Sequence, residues 1–189
     1  MEYISTRDEN RRLCAAQAIA AGLSPEGGLF LPEELPSFSP EEIQEMMDMD
    51  YQERAALVLS RFLPDFSREE LAEYAGKAYA SPKFPHSPAP VTSLKSGPHI
   101  LELFHGPTCA FKDFALQMLP FLLTASLKKT GVQETVVILT ATSGDTGKAA
   151  LEGFADVEGT KIGVFYPDGG TSEMQRLQMV TQSGENVAV

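Results

Sequence analysis

The sequence has little cysteine and few basic residues. Its 189 residues include two cysteines, Cys14 and Cys109, too few for a disulfide framework, which predicts a protein of the reducing cytoplasm. Lysine and arginine total 15 against 26 acidic residues, a net charge of −11, which argues against nucleic acid and anionic membranes as partners. The most apolar run, 115–127, is shorter than the ~20 residues of a membrane-spanning helix, and the acidic start of the chain is unlike a secretory signal. These absences favour an ordinary globular protein of the cytoplasm.

The first ninety residues are predicted to form a mainly helical domain. Helical periodicity and capping residues predict four helices: 10–21, one beginning at Ser39, 51–62 and 67–79. The proline-rich stretch 81–90 then breaks all periodicity. We therefore expect a domain boundary there, with a first domain over 1–90 and a second over 91–189.

The second half of the chain alternates between strand and helix patterns. Strands are expected over 135–140, 161–165 and 186–189, with helices over 146–154 and 172–181. This β-α-β-α-β order over 135–189 predicts a parallel sheet with right-handed crossovers, and the continuous apolar run of the first strand predicts burial on both faces. The chain stops in or just after the third strand, so we expect a truncated α/β domain that self-associates through the uncovered edge near Val187.

A candidate nucleophile lies in the segment 99–129. Alternating residues over 99–104 predict a strand, the sequence His-Gly-Pro-Thr predicts a turn, and the apolar spacing over 111–122 predicts a helix. Pro120 predicts that the helical stretch is bent or restarted there. Lys112 falls in the first turn of that helix, where the helix dipole and the two flanking phenylalanines favour a neutral, nucleophilic amine. The alternative is an ordinary lysine that extends its amine into solvent.

A second candidate site is the loop 140–147, between a buried strand and a helix. Ligands bind at such junctions in open α/β sheets, and the free N–H groups of a helix start suit a carboxylate or a phosphate. Thr142, Ser143 and Thr146 offer hydroxyl groups, and Gly144 lets the backbone approach a ligand. The phosphate-loop and dinucleotide fingerprints are both absent. The alternative is a tight turn with no ligand.

Five stretches resemble threonine synthases, pyridoxal-phosphate (PLP) enzymes with the tryptophan synthase β-like fold (PLP fold type II). They occur in the family's order: 3–7, 22–32, FHGPTCAFKDFA at 104–115, ATSGDTG at 141–147, and YPDGG at 166–170 followed by Ser172 and Gln175. The family's enzymes are much longer, so the chain resembles only their N-terminal part. The resemblance implies an α/β fold with a helical N-terminal region and an incomplete PLP-binding domain.

The resemblance also implies roles for individual residues. Lys112 would be the Schiff-base residue for PLP, and Asp145 would lie near the 3-hydroxyl of the pyridine ring. Thr142, Ser143, Gly144 and Thr146 would bind the substrate carboxylate, and no metal is implied. The implied reaction is that of a carbon–oxygen lyase, in which O-phospho-L-homoserine and water yield L-threonine and phosphate.

Several points stay open at the level of sequence. His105 either contacts the substrate or braces the turn, and Cys109 is expected to be a small buried residue. The groups for the cofactor phosphate and pyridine nitrogen are expected beyond residue 189, so the chain alone is expected to be inactive. Weak candidates for the leaving phosphate are Ser5, Thr6, Arg7 and Lys148. The alternative functions are another PLP lyase of this fold, resembling serine or threonine dehydratases, and a non-catalytic binding protein.

Overall fold

The computed structural model describes every residue from Met1 to Val189. The chain divides into two compact units, one formed by 1–77 with 121–133 and the other by 78–120 with 134–189. The proline-rich stretch 81–90, where we predicted a domain boundary, lies inside the second unit. None of the helices has the length and apolar character required to cross a membrane.

The first unit begins with a small antiparallel sheet. Strands β1 (Tyr3–Ser5), β2 (Asp8–Leu13) and β3 (Phe30–Pro32) are arranged in the order β2-β1-β3. The prediction of a helix from residue 10 was wrong, because 8–13 pair with β1 and helix α1 starts only at Ala15. Arg12 on β2 forms ion pairs with Glu2 and Glu33, and such charged side chains suit an exposed edge strand.

The remaining helices of the first unit were largely predictable. They are α1 (Ala15–Ala21), α2 (Pro40–Met47), α3 (Tyr51–Phe62), α4 (Arg68–Tyr79) and α6 (Leu119–Thr130). The last two residues of α4 and the first two of α6 belong to the second unit. Ser39 is the N-cap, as predicted: it accepts a hydrogen bond from the Glu42 N–H, and the Glu42 side chain accepts one from the Ser39 N–H, which forms a capping box. Ser67 and Glu70 repeat this arrangement at α4.

A hydrogen-bonded loop over 22–28 contains a strongly acidic carboxyl group. The hydroxyl groups of Ser24 and then Ser5 lower the pKa of Glu26 from 4.5 to about 2. Arg11 also forms an ion pair with Glu26 at 3.1 Å. The Glu26 carboxylate therefore stabilises the loop as long as it is ionised.

The second unit contains a hairpin and a short helix before its main sheet. Strands β4 (Val91–Ser93) and β5 (His99–Leu101) pair antiparallel. The helical stretch predicted from residue 111 is interrupted near Pro120, as expected: the structure has α5 (Asp113–Leu116) and then α6 from Leu119. Pro120 lies at the second position of α6, where a missing N–H costs nothing because the first four N–H groups of a helix have no partner within it.

The predicted β-α-β-α-β unit is confirmed. It consists of β6 (Val136–Ala141), α7 (Asp145–Phe154), β7 (Thr160–Phe165), α8 (Glu173–Val180) and β8 (Val187–Ala188). The strands are parallel in the order β6-β7-β8. Ile162 and Val164 on β7 are buried, as are Leu151 and Phe154 on α7 and Met179 on α8. One face of this sheet is thus a packed core beneath two helices.

The opposite face of the sheet is exposed in this chain. Val137 and Leu139 on β6 are 56% and 68% exposed, and Phe165 on β7 is 65% exposed. The prediction that β6 is buried on both faces was therefore wrong for these 189 residues, because the helices of the unit cover only one side. An apolar strand face of this kind is typical of a surface that another element covers.

Candidate functional site

Lys112 lies at the junction between the turn 106–111 and helix α5. It is the N-cap residue of α5 in a helical backbone conformation, and its carbonyl accepts the first helical hydrogen bond from Leu116 N at 3.0 Å. Its amine lies 4.7 Å from the centre of the Phe111 ring. The side chain is only partly buried, so the amine can be reached by a small molecule.

The local geometry does not support the two effects expected to favour a neutral Lys112. Helix α5 has four residues, and a helix this short has little of the dipole that a full-length helix would supply. The Phe111 ring is largely exposed and offers its face to the ammonium, an arrangement that attracts a cation. The candidacy of Lys112 therefore depends on its place in the fold and on its sequence motif.

Helix α5 is held in the second unit by aromatic packing. Phe114 packs against Phe84, with ring centres 5.4 Å apart, and against Tyr79. The Tyr79 hydroxyl donates a hydrogen bond to the Phe114 carbonyl at 2.7 Å. These contacts fix the backbone that carries Lys112 and leave its long side chain free to move.

Helix α5 also makes a close crossing with helix α7. A Cβ atom placed on Gly153 would lie 2.1 Å from the carbonyl oxygen of Leu116, so only glycine allows this approach. Gly153 lies about 12 Å along α7 from Asp145, at 1.5 Å per residue. The helix that follows Lys112 and the helix that follows the loop 142–144 therefore pack directly together.

The loop before α7 is folded into a compact turn. The Thr142 N–H donates to the Phe165 carbonyl at 2.9 Å, and the Thr142 hydroxyl accepts from the Gly144 N–H at 3.1 Å. Ser143, Asp145 and Thr146 are exposed, whereas Gly144 is buried. Two hydroxyl groups are thus presented at a helix start, where the first N–H groups have no partner within the helix.

Gln175 on α8 contacts this loop, and the sequence analysis did not predict that contact. Its side-chain amide donates to the Asp145 carboxylate at 3.2 Å. A Cβ atom on Gly144 would lie 2.4 Å from the same amide nitrogen, so glycine leaves the space that Gln175 uses. The capping box with Ser172 orients Gln175. That box was visible in the sequence, but the contact with Asp145 depends on the tertiary fold.

Gly147 is the second close approach in the loop. A Cβ atom there would lie 2.3 Å from Thr142 Cγ2 and 3.0 Å from Val164 Cγ1. Because these atoms belong to packed side chains, the start of α7 lies directly against β7 and the preceding loop. The loop is therefore closely packed against the sheet.

His105 is held in the turn by a carboxylate. Its Nε2 atom lies 2.7 Å from Glu102, and the other oxygen of Glu102 accepts from the Thr92 hydroxyl at 2.6 Å. Hydrogen bonds from Thr92 and then His105 hold the pKa of Glu102 below its ordinary value. In this structure the His105 ring thus ties the turn to strand β4.

Other candidates have local partners. The Thr6 hydroxyl accepts from the Leu29 N–H, and Arg7 donates to the Glu26 carbonyl, so both stabilise the loop 22–28, while Ser5 is buried. Lys148 pairs with Glu152 at 3.2 Å and also contacts Gln182. Cys109 is exposed, so the expectation that it is buried was wrong; its backbone has φ of 57° and turns the side chain out of the loop.

Comparison with known proteins identifies the class of this chain. Residues 2–79 match the family described as threonine synthase N terminus. The chain is 42% identical to threonine synthase from Pseudomonas aeruginosa over 99% of the chain and 39% of that protein. It is 40% identical to threonine synthase from Escherichia coli over 100% of the chain and 42% of that protein. The chain is thus similar, over almost its whole length, to the N-terminal portion of these relatives.

The fold agrees with this assignment. A crystal structure described as PLP-bound threonine synthase from Brucella melitensis superposes with a TM-score of 0.89 at 38% identity, covering 100% of this chain and 40% of that one. In fold as in sequence, the chain is similar to the N-terminal portion of these threonine synthases. It spans about two fifths of the length of the relatives it matches.

Proposed function

We propose that this chain supplies the cofactor lysine and the substrate-carboxylate loop of a threonine synthase. That enzyme is a PLP-dependent carbon–oxygen lyase, which converts O-phospho-L-homoserine and water to L-threonine and phosphate. The observation that carries the proposal is the joining of Lys112 and the loop 142–147 within one unit through the crossing of α5 and α7. The relatives named threonine synthase support it along the whole chain.

The residues present fit PLP and an amino-acid substrate. Lys112 is a partly accessible primary amine and would hold the cofactor through its aldehyde carbon. Ser143 and Thr146 are exposed hydroxyl donors at a helix start, a donor set that suits an ionised carboxylate. When bound, PLP supplies an electron sink next to the reacting carbon.

The chain's own residues would then position the substrate and move protons. Lys112 Nζ would take protons from the substrate Cα and Cβ, and it would give protons to Cγ and back to Cα, because a lysine has a flexible stem that reaches several neighbouring atoms. Thr142, Ser143 and Thr146 would hold the carboxylate and so fix the side on which the Cα proton faces Lys112. Asp145, held by Gln175, would lie near the 3-hydroxyl of the pyridine ring and influence its proton.

The chain alone is proposed to be inactive and to bind PLP weakly. By resemblance, the glycine-rich loop for the cofactor phosphate and the partner of the pyridine nitrogen belong to the part of the relatives that these 189 residues do not match. Without that loop the cofactor phosphate has no anion-binding site, and a net charge of −11 on the chain does not attract an anion.

A chimeric enzyme tests the proposal. Residues 1–189 would replace the matching N-terminal part of the E. coli relative, and phosphate release from O-phospho-L-homoserine would be measured. We expect turnover in the chimera and none after Lys112→Ala or Lys112→Arg, because a guanidinium stays protonated and cannot act as the base. Turnover that survives Lys112→Ala would contradict the proposal.

The same chimera separates the alternative functions. Release of ammonia from serine or threonine, without phosphate release from phosphohomoserine, would indicate a dehydratase-like lyase. A folded chimera that is inactive on all three substrates would indicate a non-catalytic binding protein.

A further inference from the structure

The segment 106–113 contains a buried charge that the proposed function does not use. The Asp113 side chain is 0% exposed and is among the largest fully buried side chains of the chain. Burying a carboxylate is costly unless hydrogen bonds replace its water. The hydrogen bonds of Asp113 therefore indicate the structural role of the buried carboxylate.

One residue provides both side-chain hydrogen bonds of Asp113. The Thr108 N–H donates to one carboxylate oxygen at 2.9 Å, and the Thr108 hydroxyl donates to the other at 2.7 Å. Thr108 is itself only 8% exposed. The carboxylate thus connects the start of helix α5 to the middle of the preceding turn.

The turn is built closely around this carboxylate. A Cβ atom on Gly106 would lie 2.5 Å from an Asp113 oxygen and 2.6 Å from Asp113 Cβ, so a larger residue would force the two apart. Backbone hydrogen bonds from Cys109 to Gly106 and from Asp113 to Ala110 close the same loop. We call this arrangement of Gly106, Thr108 and Asp113 the aspartate clamp.

Lys112 lies inside the segment that the clamp closes, directly before Asp113 at the start of helix α5. Its own carbonyl is bonded to Leu116 N, and the residue after it is Asp113, so the lysine backbone is fixed from both sides. The amine has the Phe111 ring as its aromatic neighbour. A fixed backbone with a mobile side chain limits the volume that the amine can explore.

We propose that Asp113 and Thr108 are positioning residues for Lys112, which the clamp holds in place for its reaction with an aldehyde. This inference rests on the proposed function of Lys112. The clamp acts through its hydrogen-bonded shape, and the negative charge of Asp113 is dispensable. The substitution Asp113→Asn preserves that shape, because an amide oxygen can accept from the Thr108 N–H while the amide NH₂ donates to the Thr108 oxygen.

The test measures how selectively PLP reacts with Lys112 in the chain of 189 residues. PLP and cyanoborohydride are added, and peptide mass spectrometry gives the ratio of label at Lys112 to label at exposed Lys161. Thr108→Val and Asp113→Ala remove the clamp. Thr108→Ser and Asp113→Asn preserve it.

Thr160→Val provides a matched control for the loss of a buried hydroxyl. Thr160 is 4% exposed, and its hydroxyl donates to the Val157 carbonyl at 2.8 Å. It begins β7, at the end of the parallel sheet opposite the loop 142–144. This variant loses a comparable hydrogen bond in the same unit without touching the clamp.

The inference predicts that the ratio of label at Lys112 to label at Lys161 falls to about 1 in Thr108→Val and Asp113→Ala. The ratio should keep the parent value in Thr108→Ser, Asp113→Asn and Thr160→Val. Equal ratios in the parent and both clamp-deleting variants would overturn the inference, as would a loss in Asp113→Asn equal to that in Asp113→Ala. A parent chain that does not favour Lys112 over Lys161 would instead count against the proposed function.

Discussion

The two helical glycines Gly76 and Gly153 predict opposite effects of the same substitution. Both lie within helices, α4 and α7, where alanine has the higher intrinsic helix preference by ~1 kcal/mol. A Cβ atom on Gly76 would meet no atom within 4 Å, whereas one on Gly153 would lie 2.1 Å from the Leu116 carbonyl oxygen. The first substitution therefore adds helix preference alone, and the second adds a clash as well.

The clash at Gly153 determines whether the substitution raises or lowers the free energy of unfolding. Ordinary contact begins at 3.4 Å, so the Cβ is 3.4 − 2.1 = 1.3 Å too close to a backbone atom that cannot rotate away. Overpacking costs ~1–3 kcal/mol, and a backbone obstacle places this case near the upper end of that range. We expect Gly153→Ala to lower the free energy of unfolding by ~2 kcal/mol after the gain in helix preference is subtracted.

Thermal unfolding followed by far-ultraviolet circular dichroism measures both changes. At ~2–4 °C per kcal/mol for a chain of this size, Gly76→Ala should raise Tm by ~2–4 °C and Gly153→Ala should lower it by ~4–8 °C. A Gly153→Ala chain as stable as the parent would refute the close crossing of α5 and α7, and with it the structural link between Lys112 and the carboxylate loop.

Three further predictions concern the loop, the acid stability and the sheet edge. In the chimera, Ser143→Ala or Thr146→Ala should raise the KM for phosphohomoserine by about 10- to 150-fold, because each removes a hydrogen bond to a charged group worth ~1.5–3 kcal/mol. Unchanged KM values in both variants would make the loop a plain turn. The folded pKa of Glu26 is depressed to about 2 from 4.5, so its stabilisation is present above pH 4.5 and lost as the pH falls toward 2. Glu26→Gln should therefore flatten the dependence of the urea midpoint on pH in that window, and an unchanged dependence would contradict this role of Glu26. The open edge of β8 should make the chain self-associate, and light scattering should show fewer dimers and aggregates after Val187→Lys.

Local sequence signals predicted much of the fold. The serines that begin α2, α4 and α8 each form a capping box, of which the box of Ser67 and Glu70 was predicted. The alternation of strand and helix over 135–189 predicted the parallel sheet. Strand β2 could not be predicted in this way, because its sequence DENRRL is polar. It is a strand because it pairs with the neighbouring β1 and because Arg12 forms ion pairs with Glu2 and Glu33. No apolar alternation in its own sequence predicts either contact.

The candidate site was predictable in its motifs but not in its supporting contacts. Lys112 and the residues 142–146 were chosen from local patterns and resemblance. The hydrogen bond from Gln175 to Asp145 joins residues thirty positions apart, and no sequence periodicity predicts it. The burial of Asp113 reverses the usual expectation for a carboxylate at a helix start, which is solvent exposure. The reason is that Gly106 and Thr108 fold back over it.

The most direct test of the central claim identifies the lysine that holds the cofactor. The chimera that carries residues 1–189 would be loaded with PLP, reduced with borohydride and digested, and the modified peptide would be sequenced by mass spectrometry. The account predicts a single modified lysine at Lys112, in the peptide that contains FHGPTCAFKDF. Modification at Lys148 or Lys161 with an unmodified Lys112 would contradict it.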